Sequence, residues 1–370
     1  MRVVYPPPTS PAPFTSRKVF AAAHVAAVAG PGGVPVIDWE STLRFREHLW
    51  AHGFGVAEAM DTAQRGMGLS WEQARELIAR TAARAAGAGR LDALACGAGT
   101  DQLAGASPHP LRAIIDAFAE QVAFVQASGA QVILMASRAL AASARGPRDY
   151  LEVYGELVKQ AERPVILHWL GEAFDPALAG YWGGGFDEAA ATVLELIDRS
   201  GGQVDGVKLS VLDEGREKWL RRRLPAGVRL YTGDDFNYAS LIRGDADGSH
   251  SDALLGAFAA ITAPAAAALA ALDRGDLAGY DAAMEPTVPL SRLIFEPPTY
   301  HYKAGVAFLA WLNGLQPQFV MLGGLERARS AGHLIRVFEL AAAARALTKP
   351  ELAAMRMGEM LARSARAGPV

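Results

Sequence analysis

The chain has 370 residues and a formal net charge of -3 at pH 7, with 51% hydrophobic and 20% charged residues. This near-neutral balance argues against a nucleic-acid surface, and no apolar run is long enough to predict a membrane span. The single cysteine, Cys96, excludes an intramolecular disulfide and fits a reducing compartment, so we expect a cytoplasmic protein.

Residues 1–16 are rich in proline, and we expect them to form a flexible amino-terminal arm. Beyond this arm, short apolar stretches alternate with segments of helical periodicity. Asp38 is predicted to cap the first helix, and Ser70 with Gln73 forms a capping-box sequence at the second. Strands are predicted at residues 19–25, 53–60, 91–97, 131–135, 164–169, 204–212, 228–233 and 248–251, and helices at 38–52, 70–86, 111–128, 149–161, 186–200 and 236–243.

This alternation predicts the fold class. Short apolar strands that alternate with helices as far as about residue 260 favour an α/β fold of the (β/α)₈ TIM-barrel type over an open sheet. No GxGxxG motif follows a strand, which weakens a dinucleotide-binding alternative. We expect the barrel over residues 17–262 and a C-terminal helical extension over residues 263–370, packed on the barrel.

One predicted strand carries a lysine. Residues 204–212 form an apolar, β-branched run around Lys208, which predicts a buried strand. Burial lowers the pKa of a lysine, and a neutral amine is a nucleophile that can form an imine with a carbonyl group. The alternative is a lysine at a strand end that pairs with a carboxylate such as Asp234 or points to solvent.

Polar residues follow several of the other strands. In barrels of this type the catalytic groups lie at the carboxyl ends of the strands, so these residues are expected to converge on one mouth. His168 is the best candidate for a general acid/base beside Lys208. The candidates for substrate binding are His24, Asp61, Ser137, Arg138, Asp234, His250 and Asp252.

The same set of residues leaves a metal-dependent chemistry open. His24, His168 and His250, together with strand-end carboxylates, include enough ligands for a divalent ion. No HxH or HExxH spacing supports such a site. We therefore expect no cofactor, with a divalent metal as the alternative.

Several motifs between about residues 19 and 347 resemble the dihydrodipicolinate synthase / N-acetylneuraminate lyase family of class I aldolases. The strongest is Asp-Gly-Val-Lys at residues 205–208, which is similar to the family's strand with the imine-forming lysine. Next come Tyr-Thr-Gly-Asp-Asp at 231–235 and Gly-Asp-Ala-Asp-Gly at 244–248. The resemblance implies a barrel with a helical carboxyl-terminal part, Lys208 as the imine-forming residue, and a homo-oligomer, either a dimer or a tetramer.

The chain departs from this family around the lysine. Residues 60–65 stand where the family carries its Gly-Thr-Thr-Gly-Glu loop, and only Thr62 is retained, which makes it a further substrate-binding candidate. His168 stands at the position of the family's catalytic tyrosine, and the arginine of that loop is missing. Because the lysine is kept while its helpers are replaced, these differences indicate a divergent subfamily.

Two further segments leave alternatives open. The loop at residues 172–185 holds Tyr181, Trp182 and three consecutive glycines, which predicts either a lid with an aromatic platform or a surface insertion. Of Asp234 and Asp235, one is expected to face the site and one to cap the helix that follows.

These features predict a lyase or aldolase that forms a Schiff base through Lys208 with a keto-bearing small molecule, either a keto acid or a sugar derivative. One alternative is a metal-dependent isomerase, epimerase or hydrolase in the same barrel mouth. Another is a barrel that binds a metabolite without catalysis. We expect no nucleic-acid or membrane partner.

Overall fold

The structure is a computed structural model that describes residues 13–60, 64–103 and 107–366. Most of the predicted arm, together with Asp61 and Thr62, lies outside the described residues. The strands are β1 (Val19–Ala22), β2 (Ala27–Ala29), β3 (Pro35–Ile37), β4 (Gly55–Glu58), β5 (Leu94–Ala98), β6 (Gln131–Leu134), β7 (Val165–Leu170), β8 (Val204–Ser210), β9 (Arg229–Thr232) and β10 (Asp252–Leu255).

The α-helices occupy the intervals between the strands and nearly all of the carboxyl-terminal part. They are α1 (Trp39–Ala51), α2 (Trp71–Gly87), α3 (Leu111–Ala127), α4 (Arg138–Ser143), α5 (Pro147–Gln160), α6 (Phe186–Arg199), α7 (Glu214–Arg221), α8 (Tyr238–Arg243), α9 (Thr262–Asp273), α10 (Leu277–Met284), α11 (Val288–Ile294), α12 (Lys303–Leu312), α13 (Ala331–Ala343) and α14 (Pro350–Arg366). Asp38 caps α1 and Ser70 caps α2 in a capping box with Gln73, as predicted.

Eight parallel strands close into a barrel in the order β1-β10-β9-β8-β7-β6-β5-β4, which confirms the predicted (β/α)₈ fold. Because a parallel barrel is covered on its outside and filled on its inside, both faces of each strand are apolar. Alternate residues point inward, and Phe20, Ile133, Ile166 and Leu254 belong to the cluster that fills the interior.

Two interior glycines make room for large neighbours. A Cβ atom on Gly206 would lie 2.7 Å from Cε2 of Tyr231, and a Cβ atom on Gly55 would lie 2.5 Å from Cδ1 of Phe20. The rings of Tyr231 and Phe20 therefore occupy space that side chains at these two positions would take. Because side chains fill the barrel interior, a site for a ligand is expected at the carboxyl ends of the strands, which form the mouth of the barrel.

Paired charges lie at the amino-terminal ends of the strands. Tyr231 donates a 2.5 Å hydrogen bond to Asp205, and the Lys18 ammonium is 3.4 Å from the same carboxylate. Arg229 forms a 2.9 Å ion pair with Asp252, the first residue of β10. These pairs offset the cost of placing charge beside the barrel core.

The position of the last strand was predicted wrongly. The expected strand at residues 248–251 is a turn in which Asp247 accepts hydrogen bonds from Ser249, and β10 begins at Asp252. In the sequence, an aspartate next to an apolar stretch indicates the end of a strand and not its first residue. Here the backbone N–H of Lys18 and the guanidinium of Arg229 satisfy the Asp252 carboxylate.

The chain divides into two compact units. The first contains the whole barrel and consists of Arg17–Ala22 and Gly55–Leu255. The second consists of residues 13–16, Ala23–Phe54 and the described residues from Gly256 onward. It holds the antiparallel hairpin β2–β3, helix α1 and helices α9 to α14, with the rings of Phe54 and Phe258 5.0 Å apart. The expected boundary between residues 262 and 263 stays a prediction.

No helix in the described part of the chain has the length and the apolar character needed to cross a membrane.

Candidate active site

Lys208 lies on β8 inside the barrel, on the half nearer the carboxyl ends of the strands. Lys208 is 6% exposed, and its amine nitrogen is 3.8 Å from the sulfur of Met60, which follows β4 on the opposite side of the barrel. Met60 belongs to the cluster that fills the barrel. The predicted strand therefore places an amine at the top of an apolar core, where little water reaches it.

His168 is the register partner of Lys208 on the adjacent strand β7. Its side chain is 2% exposed, and neither ring nitrogen has a hydrogen-bond partner among the described residues. Burial lowers the pKa of His168 well below its ordinary value, and the positive charge of Lys208 lowers this pKa further. The imidazole is therefore neutral at physiological pH and has one nitrogen able to accept a proton.

The arrangement is costly for folding, because a buried polar group without a partner costs about 1–3 kcal/mol. Such costs are retained mainly where a ligand or a reaction uses the group. A buried amine beside a neutral imidazole can perform proton transfer and nucleophilic attack on a carbonyl carbon.

Ser210 and Gly233 also belong to the surroundings of Lys208, and neither was among the predicted site residues. Ser210 follows Lys208 by two residues and so shares its inward face. A Cβ atom on Gly233 would overlap the hydroxyl of Ser210 and would lie 3.0 Å from Cε of Lys208. The period of two along the strand is the signal that could have identified Ser210; the approach of Gly233 required the structure.

Ser137 and Arg138 follow β6 and line a pocket of about 370 Å³ at the carboxyl ends of β5 and β6. Ser137 caps α4, and its hydroxyl lies 2.6 Å from that of Thr100. Arg138 forms a 2.7 Å ion pair with Asp175, a buried residue. The structure thus brings these two predicted residues together at the mouth of the barrel.

Comparison with protein families gives one match. A model of the family described as "Protein of unknown function (DUF993)" matches residues 4–365. The chain belongs to this family. No curated protein matches the sequence of this DUF993 member.

Solved structures show the same fold. A putative dihydrodipicolinate synthetase from Pseudomonas aeruginosa superposes with a TM-score of 0.69 at 15% identity, covering 89% of this chain and 99% of that one. YagE, a prophage protein of the dihydrodipicolinic acid synthase family from E. coli K12 solved in complex with pyruvate, gives 0.67 at 13% identity, covering 88% and 98%. A monomeric dihydrodipicolinate synthase variant gives 0.66 at 13% identity, covering 90% and 98%. The predicted resemblance is thus confirmed, and at these identities the likeness is one of fold.

His24 lies in the second compact unit of this DUF993 protein, where it is 1% exposed. Its Nε2 atom is 2.7 Å from the side-chain oxygen of Gln316, and its ring packs on Phe45. Burial lowers the pKa of His24 to about 3, and the charges of Lys303 and Arg46 act in the same direction. His24 is thus a neutral, hydrogen-bonded residue of that unit. Its predicted role in substrate binding stays a prediction.

Asp234 caps a turn. One of its carboxylate oxygens accepts hydrogen bonds from the backbone N–H groups of Phe236 and Asn237, and the other accepts from the Asn237 side chain. Burial raises the pKa of Asp234, although these hydrogen bonds act in the opposite direction. Asp234 therefore caps the turn before α8, whereas the N-cap residue of α8 itself is Asn237 and no side chain among the described residues caps that helix, so the expected aspartate cap of the helix was wrong. Asp235 is also buried.

His250 and Asp252 do not join Lys208. His250 precedes β10 and Asp252 begins it, so both lie at the amino-terminal ends of the strands, whereas His168 lies in the carboxyl-terminal half of β7. Because the strands are parallel, the expected convergence of these residues on one mouth was wrong. The alternative ligand set that combined His168 with His250 is not assembled, and the described residues contain no group of three His, Cys, Asp or Glu side chains able to hold a metal ion.

The aromatic residues of the loop at 172–185 are packed inward. Tyr181 is 3% exposed and Trp182 is fully buried. The hydroxyl of Tyr181 is 2.7 Å from that of Tyr154 and accepts a hydrogen bond from the backbone N–H of Ser137. The Tyr181 hydroxyl therefore helps to hold Ser137 at the mouth, and the two buried rings do not form an open platform.

Proposed function

We propose that this protein is a lyase or aldolase that forms a Schiff base between Lys208 and the carbonyl carbon of a keto-bearing small molecule. The single observation that carries the proposal is the register pairing of Lys208 with His168, whose two ring nitrogens have no partner among the described residues. The pairing supports the proposal, because an amine and a neutral imidazole on adjacent inward positions suit a nucleophile and a proton carrier.

The first step is the addition of the Lys208 amine to the carbonyl. The nitrogen lone pair forms the new C–N bond, and the carbonyl oxygen takes up a proton to give a carbinolamine. A second proton on that oxygen lets it leave as water, which produces the iminium ion. His168, as a neutral base, accepts the proton released by the nitrogen and passes it to the carbonyl oxygen, and the second proton is taken up from solvent.

The second step is the cleavage of the bond between the carbons α and β to the iminium carbon. A base takes the proton of a hydroxyl on the β carbon, which leaves as the carbonyl carbon of the first product. The electron pair of the broken bond forms the carbon–carbon double bond of an enamine, and the π pair of the iminium moves to its nitrogen. Protonation of the enamine carbon and hydrolysis of the resulting iminium release the second product and restore Lys208. The apolar wall that contains Met60 keeps bulk water away from these charged intermediates.

The choice of keto compounds follows from the comparisons and from the lining of the site. YagE, which shares this fold, was solved in complex with pyruvate, so a keto acid is the first probe for this chain. Ser210 beside Lys208 favours a substrate with a hydroxyl group near its carbonyl, as in a keto sugar acid.

The test is reduction of the iminium with borohydride in the presence of pyruvate and a panel of keto sugar acids. Each reduced adduct adds the mass of the substrate less one oxygen atom, and intact-mass spectrometry followed by peptide mapping locates it. Lys208→Ala removes the proposed nucleophile. Lys303→Ala is the matched control, because Lys303 is the other buried lysine and lies in the second unit.

We expect an adduct with the wild type and with Lys303→Ala, mapped to Lys208, and none with Lys208→Ala. An adduct that survives in Lys208→Ala would overturn the proposal. So would saturable binding of a keto compound that gives no adduct with the wild type, which is the behaviour of a barrel that binds a metabolite without catalysis.

A further inference from the structure

The pocket over the carboxyl ends of β5 and β6 contains hydrogen-bond donors that the described residues leave unused. Its volume of about 370 Å³ is within the range of pockets for small molecules. Thr100, Ser137, Arg138 and the pair Arg65–Asp101 supply its polar lining. Counting the donors and acceptors of these groups identifies the kind of ligand that the pocket fits.

Thr100 and Ser137 are 6% and 2% exposed, and their hydroxyl oxygens lie 2.6 Å apart. The two hydroxyls carry two hydrogens, and their mutual hydrogen bond uses one of them. The Ser137 hydroxyl oxygen accepts a hydrogen bond from the backbone N–H of Leu140. This bond uses a lone pair of the oxygen and leaves the hydroxyl hydrogen available. Whichever hydroxyl donates to the other, one O–H donor remains without an acceptor among the described residues.

Arg138 adds two more donor groups. Its Nε atom donates to Asp175 at 2.7 Å, which fixes the plane of the guanidinium. Its two Nη nitrogens have no partner in the described parts of the chain, and a Cβ atom on Gly66 would lie 2.9 Å from Nη1. Gly66 thus leaves room for the edge of the guanidinium that carries Nη1 and Nη2. This edge can donate two parallel hydrogen bonds to a carboxylate or a phosphate.

The carboxylate in the pocket is already satisfied. Asp101 accepts hydrogen bonds from Arg65 and from the side chain of Gln121. The Arg65 guanidinium is itself occupied, because it also donates to the backbone carbonyls of Ala59 and Gly97. The unused groups are therefore donors, and one of them carries a positive charge.

We infer that this pocket binds the oxyanion of a small molecule, a carboxylate or a phosphate, through the Nη atoms of Arg138 and the free O–H of the Thr100–Ser137 pair. The pocket is distinct from the site proposed for the Schiff-base chemistry, because neither Lys208 nor His168 lines it. Neither proposal requires the other.

The test is calorimetric titration of the full chain with malonate and, separately, with inorganic phosphate, at ionic strength held constant with sodium chloride. We expect saturable binding at one site for at least one probe, and the two titrations distinguish a carboxylate site from a phosphate site. Arg138→Gln and Arg138→Lys should each weaken binding by about tenfold or more, because both lose the forked donor edge. The double variant Thr100→Val, Ser137→Ala should also weaken it.

Arg145→Gln is the matched control, since Arg145 pairs with the buried Asp149 but does not line the pocket. This variant and Lys208→Ala should bind the probe as the wild type does. The inference is overturned by the absence of saturable binding of either probe, by unchanged affinity in folded Arg138→Gln, or by loss of binding in Lys208→Ala. Failure of borohydride trapping bears only on the proposed function.

Discussion

Lys208 and His168 are register partners on neighbouring strands, and both side chains are buried inside the barrel. Neither ring nitrogen of His168 has a hydrogen-bond partner among the described residues, and the charge of Lys208 acts against protonation of the ring. A buried polar group without a partner costs about 1–3 kcal/mol, so His168 is a candidate for a group that is kept for its chemistry.

Replacement of His168 by phenylalanine should have opposite effects on stability and on reactivity. The ring fills similar space but has no buried nitrogen atoms, so we expect the free energy of unfolding to rise by about 1–3 kcal/mol. The rate of adduct formation with a reactive keto acid should fall by about 10²-fold, because the proton carrier is lost. Urea unfolding and time-resolved borohydride trapping measure the two effects.

His24→Phe is the control for this substitution. His24 is equally buried, but its Nε2 atom bonds to Gln316, so its loss leaves the glutamine oxygen without this partner and should destabilise the protein. If His168→Phe loses stability but still traps substrate at the normal rate, the role of His168 is to stabilise the core and not to carry protons.

Gly233→Ala should displace Lys208 without unfolding the barrel. The added methyl group would overlap the hydroxyl of Ser210, and it would lie 2.9 Å from the backbone oxygen of Leu209 and 3.0 Å from Cε of Lys208. The Ser210 hydroxyl must therefore move, and the lysine side chain must give by a few tenths of an ångström. We expect at least an order-of-magnitude loss in the rate of adduct formation, since small misplacements of a reacting group have such effects (about 10²-fold for 1 Å).

Gly155→Ala is matched to this variant, because Gly155 lies within α5 and a Cβ atom there meets nothing within 4 Å. It should leave trapping unchanged and stabilise the helix by up to about 1 kcal/mol. Normal trapping in Gly233→Ala would mean that the position of the amine has little influence on the reaction.

Glu217 should make the protein less stable as the pH rises. Glu217 is 1% exposed, and its carboxyl oxygens accept hydrogen bonds from the hydroxyls of Thr232 and Ser251. Burial raises the pKa of Glu217 from 4.5 to about 8, with Asp234 acting in the same direction. The folded state therefore holds a proton that the unfolded chain releases above pH 4.5, so this contribution to stability is complete below that pH and is lost progressively up to about pH 8.

Glu217→Gln removes this titration. We expect its urea midpoint, relative to that of the wild type, to increase between pH 5 and pH 8.5. Glu156→Gln changes an exposed carboxylate paired with Lys159 and should show no such trend. Parallel pH profiles for wild type and Glu217→Gln would contradict the assigned burial effect.

The sequence was sufficient to predict the barrel, because strand-and-helix alternation depends on local apolar periodicity. It also singled out Lys208 and His168, since each interrupts or ends an apolar strand, and the structure pairs them in register. Their roles in a reaction stay predictions. It misplaced the last strand and with it His250 and Asp252, because the ion pair of Asp252 with Arg229 joins residues distant in the chain. The hydroxyl pair of Thr100 and Ser137 depends in the same way on the close approach of two loops. The homo-oligomer, the lack of a cofactor and the cytoplasmic location stay predictions.

Arg65 should be one of the most sensitive positions for stability near the mouth. Its guanidinium is 3% exposed and donates to the Ala59 and Gly97 carbonyls, to Asp101 and to Gln121. Burial raises the pKa of Asp101, but the charge and hydrogen bonds of Arg65 outweigh it and the net pKa is lowered. Arg65→Met leaves these acceptors without their donor, and we expect a loss of about 3–5 kcal/mol in urea unfolding.

A double-mutant cycle with Asp101→Asn separates the ion pair from the carbonyl contacts. In the Arg65→Met background the asparagine should be neutral or stabilising, because it removes an uncompensated carboxylate, whereas in the wild type it should destabilise. Arg80→Met breaks an exposed i,i+4 pair with Glu76 and should cost less than about 1 kcal/mol. Equal effects of Arg65→Met and Arg80→Met would mean that the buried guanidinium does not hold the ends of β4 and β5 together.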